Sequence, residues 1–217
     1  LSPSRLKPKP KLSTLNPLHR ILEMSKIQNL IENQNFSYLQ PYFYEHETAL
    51  RCELGTGETD TVWMQNARKR ALAVFRILFP EGNADAVIFN EWQYDGDPEE
   101  DFSGILKTYR HKIIRNLPVP DWNTALHRNR IICYADDKLF PCEKIIQNLL
   151  LEDFGVPNHE ESFVSFCNEC ILSVYDDRGC DIFFADSGKF REFYPLLEPF
   201  FLDYDRNLMQ ERLDKFS

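Results

Sequence analysis

The sequence predicts an α+β single domain, a mixed sheet with a C-terminal antiparallel meander, covered by helices. Three observations predict it. Helix-period and strand-period segments alternate through the first two-thirds of the chain. Three β candidates then follow with only short turns between them, which allows only antiparallel pairing there. No internal repeat and no convincing linker interrupts the sequence after residue 24. At 217 residues and 43% hydrophobic, the chain has ample material for one such core.

The elements follow in order. Ile27, Leu30 and Ile31 have helical spacing, which places a helix over about 19–33. Leu50, Cys52 and Leu54 alternate with Arg51 and Glu53, a half-buried strand over 48–55 that Gly55 and Gly57 stop. Met64, Ala67, Ala71, Val74, Phe75 and Leu78 mark one face of a helix over 62–79, and Pro80 ends it. Val87, Ile88, Phe89 and Trp92 make 85–93 a strand. Phe102, Ile105, Leu106, Tyr109, Ile113 and Leu117 form an apolar stripe opposite Lys107, Arg110, His111 and Arg115, which predicts a helix over 102–117. A strand over 130–135 precedes a helix over 141–152, with Pro141 suited to its first turn and Gly155 just past its end. Strands near 162–167, 170–175 and 180–185 follow. The Phe-rich C-terminal segment is helical near 188–194 and interrupted by Pro195 and Pro199.

Charge divides the chain. The sequence carries 34 acidic and 25 basic residues, a net −9. Residues 1–23 hold Arg5, Lys7, Lys9, Lys11 and Arg20 against Glu23 alone, which is 5 − 1 = +4, so the remainder carries −13. This basic, Pro-rich tail has no core-forming pattern. It reads as a linker or a non-native extension before Met24, and a single domain fills 24–217. No apolar stretch follows its charges as a secretory signal requires, and no run is long enough to span a bilayer. An acidic body repels phosphate, so nucleic acid and membrane are not expected as partners. Six scattered cysteines without a secretion signal point to reduced thiols, and the expected compartment is the cytoplasm.

Several motifs were candidates for chemistry. Cys167-Asn168-Glu169-Cys170 could hold zinc or run a redox couple, but it falls between two strands. The favoured reading is a two-residue hairpin loop flanked by cysteines that pack as small apolar residues. Glu91 to Asp101 holds six acids and no base, and reads as a solvated loop because its Gly does not sit where a calcium loop needs it. The basic face on 102–117 reads as solvated. Tyr175-Asp176-Asp177-Arg178-Gly179-Cys180-Asp181 joins two strands. It reads as turn chemistry, with Asp accepting local backbone bonds and Gly179 supplying a positive φ, or as a charged cluster on a rigid sheet. No hydrolase elbow, phosphate loop or His-based metal spacing occurs, and no cofactor or metal is expected.

Three segments carry a resemblance. Ala49-Leu50-Arg51-Cys52-Glu53-Leu54-Gly55, the Tyr175–Asp181 turn, and Leu202-Asp203-Tyr204-Asp205-Arg206 resemble, in order and separation, the bacterial domain-of-unknown-function 3885 family. The resemblance spans roughly 40–210, with Cys52 where an aromatic residue is expected. It implies a cytoplasmic bacterial protein and carries no established reaction. It also raises the polar turn above turn chemistry. Arg51, Glu53, Asp176, Asp177, Arg178, Asp181, Asp203 and Asp205 are therefore expected to form one charged cluster at a sheet edge, either a structural network or a ligand site.

Two functions compete. The leading expectation is a non-enzymatic, acidic protein-interaction module of the immunity-protein kind, docking on a protein with a basic surface. The alternative is a metal-dependent hydrolase in which Asp176, Asp177, Asp181 and Glu53 act as ligands or base and Arg178 binds the anion.

Overall fold

The computed structural model describes residues 25–36, 42–96, 101–119, 125–151 and 159–217. Short helices α1 (Lys26–Ile31) and α2 (Tyr42–Glu45) lead into strand β1 (Ala49–Glu53) and the long helix α3 (Asp60–Leu78). Strand β2 (Ala86–Gln93), helix α4 (Ser103–Thr108) and strands β3 (Arg110–Leu117) and β4 (His127–Tyr134) follow. Helix α5 (Cys142–Leu149) precedes strands β5 (His159–Ser165), β6 (Cys170–Val174) and β7 (Gly179–Phe184). Helix α6 (Ser187–Leu197), 3-10 turns at Glu198–Phe200 and Asp203–Asp205, and helix α7 (Arg206–Lys215) complete the order. The predicted basic tail, the first residues of the 19–33 helix and Asp97, Glu99 and Glu100 of the acidic loop lie outside the described residues.

Among the described residues seven strands form one sheet in the order β1-β7-β6-β5-β2-β4-β3. The predicted α+β domain with an antiparallel β5–β6–β7 meander is present. The expected mixed pairing is not, because every neighbouring pair is antiparallel. The reason is insertion. Alternation along the sheet makes β1 and β2 run the same way, as a helical crossover through α3 favours, but β7, β6 and β5 lie between them. Alternation of strand and helix in the sequence cannot reveal which strands later insert between the two.

Helix α3 forms as its sequence dictates. Thr59 caps it by accepting the Val62 N–H at 3.4 Å, Asp60 complements the dipole at the first turn, and Arg76 does so at the last. Its buried stripe is Ala67, Ala71, Val74, Phe75 and Leu78. This stripe packs on Val87, Phe163, Leu172, Ile182 and Phe184, with Phe190, Phe193 and Leu197 from α6 and Ile146 and Leu149 from α5. Each large apolar side chain so buried contributes on the order of 1.5–3 kcal/mol of transfer free energy. The opposite sheet face is covered more thinly. Ile27 and Ile31 of α1 and Tyr42 of α2 pack there on Ala86, Ile88, Ile132, Val164, Ile171 and Phe183.

Two local expectations are corrected, and one helix was not foreseen. The 102–117 segment leaves the helix after Thr108, where Tyr109 turns extended at φ −120° and ψ 145°. Arg110–Leu117 then becomes edge strand β3 against β4, with a register irregularity between Ile114 and Leu117 and Asn116 at φ 52°. A helical stripe puts Ile113 and Leu117 on one face, whereas the bulged strand buries Ile114 and Leu117 on the α1/α2 face and leaves Ile113 partly buried on the other, so pairing with the free edge of β4 decided the outcome. Pro195 does not break α6. The helix continues to Leu197, held by burial of Phe193, Tyr194 and Leu197. Helix α7 gives almost no apolar signal, because Met209 is its one buried residue.

Candidate functional site

The eight predicted residues group around the β1–β7 edge, but they do not act as one cluster. Arg51 and Asp181 are cross-strand partners in the β1–β7 register. Because residues of a strand alternate faces, both point to the α1/α2 side with Ala49 and Phe183. Asp181 is fully buried, and Arg51 is nearly so. Arg51 donates from Nε to Asp181 Oδ1 at 2.8 Å and from Nη2 to Oδ2 at 3.0 Å, a bidentate fork. Asp181 Oδ2 also accepts the Phe43 N–H at 3.1 Å, so α2 is tied to the same carboxylate.

Aromatic rings enclose the guanidinium. Arg51 Cζ lies 4.7 Å from the Tyr44 ring centroid, 5.1 Å from Phe43 and 5.9 Å from Tyr175. Burial by itself would lower the Arg51 pKa, but the Asp181 hydrogen bonds and charge outweigh it and hold the guanidinium above its ordinary value. Burial, followed by the Asp181 charge, pushes the Tyr175 phenol up.

Asp205 joins this pair from the C-terminal segment. Its Oδ2 lies 3.7 Å from Arg51 Nη1, an ion pair without a hydrogen bond. Burial raises the Asp205 carboxyl above its ordinary value and Asp181 adds to the rise, opposed by Arg51 and Arg212. Nearby contacts fasten the same segment. Leu202 donates its N–H to Arg51 O at 3.3 Å, and Arg51 donates its own N–H to Met209 Sδ at 3.5 Å. Arg212 of α7 donates to Ala49 O at 3.1 Å and to Phe43 O at 2.8 Å.

The remaining predicted residues are engaged elsewhere. Asp176 accepts the Arg178 N–H and Nε–H, both at 2.7 Å, and its carboxylate also takes the Arg178 Nη2 donor. The turn reading is therefore right for this pair. Asp177 Oδ2 accepts Trp63 Nε1–H at 2.9 Å, which pins the turn to α3. Asp203 is exposed and pairs with Arg206 at 3.2 Å. Glu53 contributes its backbone carbonyl, which accepts Arg70 Nε–H at 2.8 Å. Gly179 does not supply a positive φ as expected. It is required for close approach, since a Cβ there would overlap Tyr175 Oη and sit 2.9 Å from Cys52 O.

The cysteine motif is a hairpin, as expected, but its turn has four residues, Phe166 to Glu169. Cys170 is buried as predicted, whereas Cys167 stands exposed in the turn. Glu169 has a role the sequence concealed. Its carboxylate accepts the N–H groups of Lys26 at 3.2 Å and Ile27 at 2.7 Å, so it holds the start of α1. Among the described residues no three His, Cys, Asp or Glu side chains converge to hold a metal ion.

Sequence reasoning also missed two surface aromatics. Tyr204 lies in the 3-10 turn between Asp203 and Asp205 and is 87% exposed, and Tyr44 is 56% exposed while its ring covers Arg51. Tyr204 stands within the Asp-Tyr-Asp-Arg segment, but nothing in the sequence shows that its ring is exposed.

Fold and site together define an α+β domain on one antiparallel sheet, whose C-terminal segment is fastened to the sheet edge by a buried Arg–Asp pair. The chain belongs to the family described as Domain of unknown function (DUF3885), whose sequence model matches residues 29–205. Neither a curated protein nor a solved structure matches it.

Proposed function

We propose that this chain is a non-enzymatic protein-interaction module, of the kind that neutralises or docks on a partner with a basic surface. One observation carries the reading. Tyr204 is almost wholly exposed on a turn whose next residue, Asp205, pairs with Arg51. A large aromatic held out on a fixed backbone loses little conformational entropy on binding, and such residues dominate interface energetics. Tyr44 lies against the same Arg51, while Asp203 and Glu45 add exposed carboxylates beside the two rings. The −13 balance of the chain after residue 23 favours a cationic partner and a salt-sensitive association.

A cytoplasmic bacterial setting, without a nucleic-acid partner, belongs to the same reading. Among the described residues no helix is long and apolar enough to cross a membrane. The alternative, a metal-dependent hydrolase, has less support. Its proposed ligands Asp176, Asp177 and Asp181 are already held by Arg178, Trp63 and Arg51.

The test is retention of proteins from a lysate of the source organism on the immobilised chain. The expected result is a basic protein held at low salt, released at high salt, and lost with Tyr204→Ala. Retention indifferent to Tyr204, or of acidic proteins only, would refute the reading.

A further inference from the structure

On the other side of the sheet from Tyr42 and α1, an open cleft of about 380 Å³ lies between α3 and the Glu198–Phe200 turn. Ala73, Pro199 and Phe200 give it an apolar wall, and Asn66, Lys69 and Arg70 give it polar groups. The Arg70 guanidinium is fixed in place. It donates from Nε to Glu53 O at 2.8 Å and from Nη2 to Phe200 O at 3.2 Å, and its Cζ lies 5.3 Å from the Phe200 ring centroid. Both acceptors are neutral carbonyls. Among the described residues Nη1 keeps its donors without a partner and Lys69 has no carboxylate within ion-pair distance. Two carboxylates on flanking elements are occupied, Asp177 by Trp63 and Glu198 by Arg206.

In a body of net −13, the buried Arg51 is matched by carboxylates, whereas Arg70 and its neighbour Lys69 are not. Arg130 and Arg212 also rest on backbone carbonyls, but neither lines this cleft. A half-buried guanidinium is stabilised by an anion, and its planar fork suits a carboxylate. The cleft volume falls at the small end of ligand pockets, and its lining is apolar with a few convergent polar groups.

We propose that this cleft binds a small organic acid, Lys69 and Arg70 taking its carboxylate and Ala73, Pro199 and Phe200 its apolar body. The site is separate from the Tyr204 face and does not depend on what binds there.

Amide chemical shifts of the folded chain, titrated with phenylacetate, test it. The expected result is saturable movement of the Asn66, Lys69, Ala73 and Phe200 amides. Phenylacetamide, which lacks the charge, should bind roughly tenfold more weakly, the worth of one charge-assisted hydrogen bond, and inorganic phosphate, which lacks the apolar body, roughly tenfold more weakly through the lost burial of the ring. Lys69→Ala, an exposed change, should weaken phenylacetate by roughly threefold, and Arg70→Lys by about tenfold. No saturable movement with phenylacetate would overturn the proposal. Equal binding of the amide or of phosphate would overturn it too, as would a Lys69→Ala chain, folded by its spectrum, that binds as the parent does.

Discussion

The two faces of the sheet solve the burial problem differently. The face under α3, α5 and α6 is apolar and ring-rich. Phe75 stacks on Phe79 at 4.5 Å and meets Phe163 edge-on at 5.4 Å, while Phe184 packs on Phe190 and Phe193. The face under α1 and α2 carries polar residues across the strands. Arg51, Asp181, Ser173 and Ser162 are successive register partners from β1 to β5, all buried. Asn90 and Arg130 are buried register partners between β2 and β4, and Arg130 donates to Ile31 O and Phe36 O, both at 3.0 Å. Apolar packing is non-directional and tolerates repacking, whereas a buried ion pair fixes register and orientation but leaves a bare charge if either partner is lost. The thinly covered face thus relies on directional bonds, and these fasten α2 and the C-terminal segment to the sheet edge.

The sharpest way to break this contrast is Asp181→Ala. It leaves Arg51 buried without its fork and Phe43 N–H without its acceptor, and should cost about 3–5 kcal/mol in denaturant unfolding. Phe184→Ala on the other face should cost a similar amount, about 3–5 kcal/mol, by leaving a cavity. The two losses differ in how they can be repaired. The paired change Arg51→Met with Asp181→Leu should restore all but about 1–2 kcal/mol, since apolar replacement of a buried ion pair is often neutral. A paired variant as unstable as Asp181→Ala would show that the charges themselves are indispensable.

Asp205→Asn should be far milder, within about 1 kcal/mol at neutral pH, because Arg51 keeps its bidentate partner. Its pH dependence has a definite sign. A carboxyl raised above 3.8 by burial favours the folded state when protonated, so the wild type gains stability as pH falls through the folded value. The asparagine variant should lack that gain. Glu32 has the opposite sign. Burial would raise its carboxyl, but hydrogen bonds from Tyr134 at 2.7 Å, Lys112 at 2.9 Å and Gln28 at 3.1 Å hold it below 4.5. Its contribution is present above the unfolded value of 4.5 and lost as pH falls through the lower folded value. The difference between wild type and Glu32→Gln should therefore shrink in acid. A difference that grows would contradict the assignment.

Legibility in the sequence followed how local each signal was. Helix α3 was readable because its apolar stripe and Pro80 agree within one segment. Strand β1 was readable from its alternation, but a half-buried strand leaves Arg51 on the outward face, and the structure buries both faces because α2 and the C-terminal segment cover the second one. The 102–117 segment misled because its apolar residues at helical spacing continue past Thr108 and the deciding neighbour, β4, comes later in the chain. The site was half legible. Asp176–Arg178 is a contact between residues two apart, but Asp177 to Trp63 and Arg212 to Phe43 span more than a hundred positions and depend on how the helices dock. Tyr204 was visible as a residue and unreadable as a surface, since its exposure is set by the fold alone.

The smallest expected effect on stability comes with the largest on binding. Tyr204→Ala should melt with the wild type, because the ring is 87% exposed. The direct measurement of the central claim is calorimetric titration of the captured basic partner with both chains. The account predicts that Tyr204→Ala loses about 2 kcal/mol or more, roughly 30-fold in Kd, with unchanged unfolding. Equal affinity of the two chains for that partner would contradict it.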